Sequence, residues 1–194
     1  AGSTYGSAGV NLQHGGSQAY VVSAMQGQPM VVQVDSPNGD GVLSIRGADN
    51  VELLSAGLGY NNWWGTLPST QDYTITVTAG ASGGAYDLEV TIAARITFSP
   101  GATSATVSGT TVGGHGVSYV AWAAAGQTLT VALSAAPGAA AIEVWGVSDG
   151  LLYVGREDNW TDFYITLPSS EDFVIEVYPN NGQVVNYTLT VEIR

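Results

Sequence analysis

The amino-acid sequence predicts an all-β protein made of two tandem antiparallel β-sandwich domains with a jelly-roll-like arrangement of strands. Three observations predict this fold: the sequence repeats after about 100 residues, apolar and polar residues alternate in short runs, and turn-forming residues separate those runs. No stretch has the apolar periodicity of an amphipathic helix. Because parallel strands need crossover connections, which are usually helices, we expect the strands to be antiparallel.

The internal repeat defines the two domains. Residues 67–77 return 100 positions later as residues 167–177, and residues 86–92 return 101 positions later as residues 187–193. Two similar segments in the same order at nearly the same offset indicate a tandem duplication with small insertions in loops. We therefore expect the first domain to span residues 1–93 and the second to span residues 94–194.

Alternating side chains predict the individual strands. Four runs place apolar residues at every second position: residues 30–34, 73–77, 129–133 and 187–193. This period of two is that of a strand with one buried face. Three predicted turns are rich in Gly, Pro, Asn and Ser: residues 37–41, 80–84 and 179–182. Short strands separated by such turns favour an antiparallel sandwich.

Charge and composition exclude several functions. The 194 residues include four Lys and Arg against 16 Asp and Glu, which gives a formal net charge of −12. An acidic chain repels phosphate groups, so we expect no nucleic-acid partner. We also expect no membrane insertion, because no apolar run reaches the roughly 20 residues of a membrane helix. With no Cys, the chain has neither a thiolate nucleophile nor a thiolate metal site.

The polar residues predict a compartment. Only 10% of the residues are charged, and Ser, Thr, Asn, Gln and Gly supply most of the remaining polar surface, as in many secreted β proteins. The opening residues 1–4 (Ala-Gly-Ser-Thr) fit the mature end left by cleavage after small residues. We expect an extracellular or cell-surface location for a mature secreted chain.

The second repeat also resembles a known group of domains. Residues 96–101 (Ile-Thr-Phe-Ser-Pro-Gly), Gly126-Gln127, Leu167-Pro168 and the final strand at residues 186–191 follow one another in this order. The order is similar to that of bacterial pre-peptidase C-terminal domains and of the related periplasmic inhibitors of g-type lysozyme. The resemblance implies a non-catalytic extracytoplasmic β-sandwich. It makes a lysozyme-inhibitor-like binding protein one alternative for the function.

The two repeats differ at their beginnings. The second repeat starts with a strand in which Ile96 and Phe98 face one way, whereas the counterparts of these residues in the first repeat would precede Ala1. The sequence therefore predicts a first domain that lacks its opening strand and exposes an unpaired edge. A neighbouring copy that pairs there would make a homo-oligomer or polymer. Trimming, a domain that has no such strand, or residues 3–10 folding into the gap are the alternatives.

These expectations lead to a main hypothesis for the function. We expect a non-catalytic extracellular structural protein that self-associates as the subunit of a surface filament or layer. Two residues separate the last strand of the first repeat from Arg95, which fits a head-to-tail array of repeats.

Aromatic residues form the candidate binding site. They lie with one asparagine in two equivalent loops before Leu-Pro: Tyr60, Trp63 and Trp64 in the first repeat, and Asn159, Trp160 and Tyr164 in the second. Because successive side chains of a strand point to opposite faces, one of Trp63 and Trp64 should belong to the core, and so should one of Phe163 and Tyr164. Exposed rings beside amides can stack on the sugars of an extracellular glycan, and a carbohydrate-binding module is a second alternative. Packing against a protein is the other interpretation.

Catalytic and metal sites have weaker signals. Residues 80–84 and 146–150 match the G-x-S-x-G pattern, but both lie between predicted strands, not between a strand and a helix, so we expect no enzyme. We expect no cofactor other than calcium, for which Asp35, Asn38 and Asp40 place three oxygen-bearing side chains in one turn. A hairpin turn capped by these residues is the alternative.

Overall fold

The computed structural model describes residues 5–36, 38–111 and 115–194 and confirms the all-β, antiparallel β-sandwich class. Contacts divide the described residues into two compact units, residues 5–92 and Ala93–Arg194. The described residues contain no α-helix. Three short 3₁₀ turns are present: Ala56–Leu58, Arg156–Asp158 and Asn180–Gly182. Pro37, within one predicted turn, lies outside the described residues, and so do residues 1–4 and 112–114.

The first unit consists of two four-stranded antiparallel sheets. One sheet has the order β1-β8-β3-β6 and the other the order β2-β7-β4-β5. The strands are β1 (Tyr5–Leu12), β2 (Ser17–Ala24), β3 (Pro29–Asp35), β4 (Val42–Gly47), β5 (Glu52–Leu54), β6 (Asn62–Thr66), β7 (Gln71–Thr78) and β8 (Gly84–Ile92).

The second unit has the same strand order with one strand added. Its sheets have the orders β10-β17-β12-β15 and β14-β13-β16-β11-β9, and β9 runs parallel to β11. The strands are β9 (Ala94–Arg95), β10 (Ser104–Thr110), β11 (Val117–Ala123), β12 (Thr128–Ser134), β13 (Ala140–Gly146), β14 (Leu152–Val154), β15 (Asp162–Thr166), β16 (Glu171–Pro179) and β17 (Asn186–Ile193).

Each unit has its own core between its sheets. On β7, Tyr73, Ile75 and Val77 are fully buried, while the intervening residues face outward. The equivalent strand β16 also buries Phe173 and Ile175 in the core, and Val174 between them is buried as well. Burial of each large apolar side chain contributes about 1.5–3 kcal/mol, so the period-two alternation fixes which face of each strand points inward.

The N-terminal residues occupy an outer strand of the first unit. Tyr5–Leu12 forms β1 and pairs along its whole length with β8, from Tyr5 opposite Thr91 to Leu12 opposite Gly84. This position is equivalent to that of β10 in the second unit, which pairs with β17. Residues 5–10 therefore lie in the sheet opposite β2 and do not take the place that β9 has in the second unit. The alternative in which residues 3–10 fold into the gap is wrong for residues 5–10.

Candidate functional site

Both aromatic loops are held by the same backbone contacts. In the second unit, the Ile142 N–H donates to the Trp160 carbonyl at 2.8 Å and the Leu133 N–H donates to the Thr161 carbonyl at 2.7 Å. In the first unit, the carbonyls of Tyr60 and Asn61 accept equivalent bonds from Leu43 and Val34, each at 2.8 Å. Two strands therefore hold each loop, so the residue types in it decide what it presents.

The position at the start of each loop has a left-handed backbone. Asn159 has a φ of 54° and closes the 3₁₀ turn Arg156–Asp158, whereas Gly59 has a φ of 70° in the first unit. Asparagine tolerates this conformation better than most residues. The Asn180 Nδ2 donates to the Asn159 Oδ1 at 2.8 Å, which fixes the amide next to Trp160.

The strand after each loop separates inward and outward aromatic side chains. Phe163 is buried in the core of the second unit, and Trp63 packs against the core of the first unit. Their neighbours point outward: Tyr164 is 79% exposed and Trp64 is 58% exposed. This division follows the alternation of the sequence. Trp160 and Tyr60 are also about half exposed, so each loop with the strand that follows it presents two exposed aromatic residues.

In the second unit, Trp160 and Tyr164 line an open groove of about 690 Å³. We call it the aromatic groove, and its lining consists of Tyr153, Asn159, Trp160, Thr161, Asp162, Phe163 and Tyr164. The rings of Trp160 and Phe163 lie 6.4 Å apart with a 31° tilt, so Phe163 supports the indole from the core side.

Tyr153 has an anchored hydroxyl at the groove. It donates to the Asp149 Oδ2 at 3.1 Å. Burial, reinforced by this bond to a carboxylate, raises the pKa of the Tyr153 phenol above its usual value. The Leu151 N–H, which donates to the Asp149 Oδ1 at 2.9 Å, holds the pKa of that carboxyl below its usual value. Tyr153 therefore remains a neutral donor beside a charged Asp149 at neutral pH.

The polar residues of the groove keep hydrogen-bonding capacity. The Thr161 hydroxyl donates to the Asp162 Oδ2 at 3.0 Å, which leaves lone pairs on both oxygens of an exposed carboxylate. The Asn159 oxygen is occupied by Asn180, which leaves its NH₂ group as a donor. The groove thus combines two exposed rings with one amide donor and one carboxylate acceptor.

The sequence predicted only some of the residues that line this groove. Asn159, Trp160 and Tyr164 line it as a group, whereas Tyr60, Trp63 and Trp64 belong to the first unit. Tyr153 was missed because it comes from β14, a three-residue strand with no motif around it. The sequence signal nearest to Tyr153 is the short apolar run of residues 151–154, which comes before the predicted aromatic loop.

One of the proposed calcium residues, Asp40, already holds a turn. The Asp40 carboxylate accepts the Tyr86 hydroxyl at 3.0 Å and the Ser82 N–H at 3.3 Å. Gln33 donates to both oxygens of Asp35, and Asn38 is exposed. Within the described ranges, no group of three or more His, Cys, Asp or Glu side chains is placed to hold a metal ion. Calcium binding at Asp35, Asn38 and Asp40 stays a hypothesis.

Both G-x-S-x-G segments lie in strand connections. Residues 80–83 lie in the connection from β7 to β8, which begins at Gly84, and residues 147–150 lie in the connection from β13, which ends at Gly146, to β14. The Ser148 N–H donates to the Glu171 Oε2 at 2.6 Å, so this segment is tied to the core strand β16. Neither segment has the following helix that a nucleophile elbow needs.

Similar proteins are found among solved structures. No family model matches the chain, and no curated protein matches it. The Aeromonas hydrophila PliG, a periplasmic inhibitor of g-type lysozyme, is 28% identical over 53% of this chain and 96% of that chain, with a TM-score of 0.46. The Salmonella Typhimurium PliG is 24% identical over 52% of this chain and 96% of that chain, with a TM-score of 0.41.

A mutant of the Escherichia coli PliG is similar as well. It is 22% identical over 52% of this chain and 96% of that chain, with a TM-score of 0.39. In each case the similarity covers about half of this chain. TM-scores below 0.5 assign no function, so the class defined by the fold itself is that of an antiparallel β-sandwich protein. In the part of the chain that the structure describes, no helix has the length and apolarity needed to cross a membrane.

Proposed function

We propose that this chain is a non-catalytic, extracytoplasmic binding protein that holds a protein partner in the aromatic groove of its second unit. The observation that carries this proposal is the exposure of Tyr164 and Trp160, 79% and 48%, in one open groove. Exposed aromatic side chains on a rigid support are the residues that most often dominate the binding energy of protein interfaces.

Charge favours a basic partner. Glu157 and Asp158 lie on the exposed 3₁₀ turn directly before the groove, and Asp162 lines it. The whole chain has a net charge of −12. A basic protein would be attracted to this surface, and its association rate should fall as ionic strength rises.

The first probe for this function is g-type lysozyme. The PliG proteins named above are described as inhibitors of this enzyme, which makes it a defined protein to try. Binding of purified lysozyme to the immobilised chain, and inhibition of its activity, should be measured for the natural protein and for Trp160→Ala and Tyr164→Ala. We expect each substitution to weaken binding at least about tenfold.

The matched control is Trp64→Ala. Trp64 lies at the equivalent strand position in the first unit and is 58% exposed, so its loss should leave binding unchanged. Equal binding by all three variants would exclude the groove as the site. Absence of lysozyme binding by the natural protein would exclude this partner.

A carbohydrate is the second candidate ligand. The observation that favours it is the Asn159 amide and the Asp162 carboxylate beside two flat rings, an arrangement that can bond hydroxyl groups while a ring stacks. A glycan array probed with the natural chain and with Trp160→Ala would distinguish the two ligands. Binding to a polysaccharide that is lost in Trp160→Ala and insensitive to salt would favour a glycan.

Self-association into a filament or layer is a separate proposal that rests on the sequence repeat. Repeated domains joined by short connections are common in arrays. Sedimentation velocity over a wide range of concentrations tests it directly. A monomer throughout that range would contradict a polymer, whereas a concentration-dependent rise in mass would support one.

A further inference from the structure

We propose that the aromatic groove of the second unit is a pocket for the guanidinium group of an arginine side chain on the partner. The guanidinium bonds to the Asp162 carboxylate and stacks on the ring of Tyr164. This inference rests on the proposed function, because it names the residue type by which the groove holds a basic protein partner.

The strand β15 brings the carboxylate and the ring together. Asp162 and Tyr164 are two residues apart in this strand, and the buried Phe163 lies between them. Side chains at such positions point to the same side of a strand, and their Cα atoms are about 7 Å apart. Both side chains are exposed and line the groove. One planar group that enters the groove can therefore contact both.

The Asp162 carboxylate has no cation of its own chain beside it. Its Oδ2 accepts the Thr161 hydroxyl at 3.0 Å, and its Oδ1 accepts no hydrogen bond from a described residue. The ion pairs within the described ranges involve other carboxylates. Among the described residues that line the groove, Asp162 is the one with a carboxylate. A cation from outside is therefore the complementary group.

The aromatic rings favour a guanidinium over an ammonium group. A guanidinium is planar, stacks on aromatic faces and offers a fork of N–H donors to a carboxylate, whereas an ammonium is a compact and strongly hydrated charge. Tyr164 and Trp160 are 79% and 48% exposed, so both rings have surface to offer a cation.

The same unit already holds one guanidinium in this way. The Arg156 Cζ lies 5.4 Å from the centroid of the Tyr178 ring. The nitrogens of the same side chain donate to Glu143 and Glu176, each at 2.7 Å. A tyrosine ring and carboxylate oxygens around a guanidinium are thus an arrangement that this sandwich accommodates.

The first unit presents the rings without the charge. Asn62 and Trp64 on β6 lie at the positions of Asp162 and Tyr164 on β15. An asparagine amide is neutral and forms no ion pair with a guanidinium. The inferred site is therefore specific to the second unit, and Asp162→Asn gives that unit the residue of the first.

The test uses the full chain and three small compounds. N-acetylarginine amide, N-acetyllysine amide and the neutral N-acetylcitrulline amide are each titrated into the isotope-labelled protein, and NMR shifts of the Trp160 indole N–H are followed. We expect saturable binding of the arginine compound. The lysine compound should bind at least about threefold more weakly, and the citrulline compound at least about fivefold more weakly.

Variants of the protein locate the contacts. Asp162→Asn should weaken binding of the arginine compound at least about fivefold, and Tyr164→Ala should do the same. Tyr164→Phe keeps the ring and should bind like the natural protein. The matched control is Asp87→Asn, which removes one exposed carboxylate from the first unit and should leave binding unchanged.

Two results would overturn the guanidinium pocket. One is that the arginine compound shows no saturable binding at the Trp160 indole. The other is that it binds no better than the citrulline compound, or equally well to Asp162→Asn and the natural protein. If lysozyme binding still depended on Trp160 and Tyr164, the proposed function would stand while the pocket failed. Binding of the arginine compound with no lysozyme binding would keep the pocket and exclude that partner.

Discussion

Glu171 and Gln71 occupy the same position in the two units and show how the identity of one side-chain atom changes the hydrogen bonding of a turn. Glu171 is 4% exposed, and its oxygens accept the N–H groups of Ser148 and Asp149 and the hydroxyl of Ser169. In the first unit the same position holds Gln71, whose Nε2 is buried without a hydrogen-bond partner. Since a buried amide without a partner costs free energy, the carboxylate is the better fit to this turn.

We therefore expect Glu171→Gln to destabilise the protein by about 1–3 kcal/mol, because its NH₂ group would replace an acceptor that faces donors. Urea unfolding measures the loss. Gln71→Glu is the matched control, and we expect it to be neutral or stabilising. An unchanged urea midpoint for Glu171→Gln would contradict this account.

A pair of buried phenols links stability to alkaline pH. The hydroxyls of Tyr119 and Tyr187 lie 2.8 Å apart, and their rings meet edge to face at 6.4 Å. Burial raises the pKa of the Tyr187 phenol well above its usual range, and the bond to Tyr119 adds to this. Because the folded state holds this proton more tightly than the unfolded state does, its stabilising contribution is complete below about pH 10 and is lost as pH rises further.

Tyr187→Phe should flatten this loss of stability above about pH 10. At neutral pH the variant should be less stable by about 1–2 kcal/mol, because the Tyr119 hydroxyl loses its buried partner. Urea unfolding at several pH values gives both quantities. If the natural protein and the variant lose stability with the same slope, Tyr187 is not the group responsible.

At the scale of the element, β9 shows that a two-residue strand can complete a sheet. Its residues pair with β11, and Ile96 directly after it is 5% exposed. The bidentate pair of Arg95 with Asp172 holds the same segment from outside. Burial, backbone pairing and an ion pair therefore all act within three residues.

Ile96→Ala should destabilise the second unit by about 2–4 kcal/mol through lost burial and the cavity it leaves. Chemical denaturation is the measurement. Val21→Ala is the control, since Val21 is 63% exposed, and its effect should stay within about 0.5 kcal/mol. Equal effects of the two substitutions would mean that Ile96 does not anchor the segment.

At the scale of the whole molecule, the two units have separate cores with the same strand order. A unit with its own core and paired strands can fold by itself. We expect residues 93–194 expressed alone to unfold in one cooperative transition. Circular dichroism during heating tests this, and a spectrum typical of an unfolded chain would contradict it.

Local patterns predicted the strands β3, β7, β12 and β17. The alternation at residues 73–77 and 187–193 became the core faces of β7 and β17, because one buried face admits only one register. The same alternation predicted that one aromatic residue of each adjacent pair points into the core. In the structure these residues are Phe163 and Trp63. Side chains separated by one residue are positioned by the backbone alone, which is why the sequence suffices there.

Contacts between distant segments were not predictable in this way. Tyr153 reaches the aromatic groove, Asn180 holds Asn159, and Gln71 leaves its amide unpaired; each fact depends on a strand pairing far along the chain. The position of residues 5–12 in the sheet opposite β2 also came only from pairing. None of these residues lies in a sequence motif from which its contact partner could be predicted.

The sequence by itself determined the all-β class and the faces of the main strands, because alternation and turn residues act over a few neighbouring positions. Only the tertiary structure decided which edges are covered and which side chains share the groove. Both depend on which distant strands pair, and the free energy of that pairing is set by the packing of the whole sandwich.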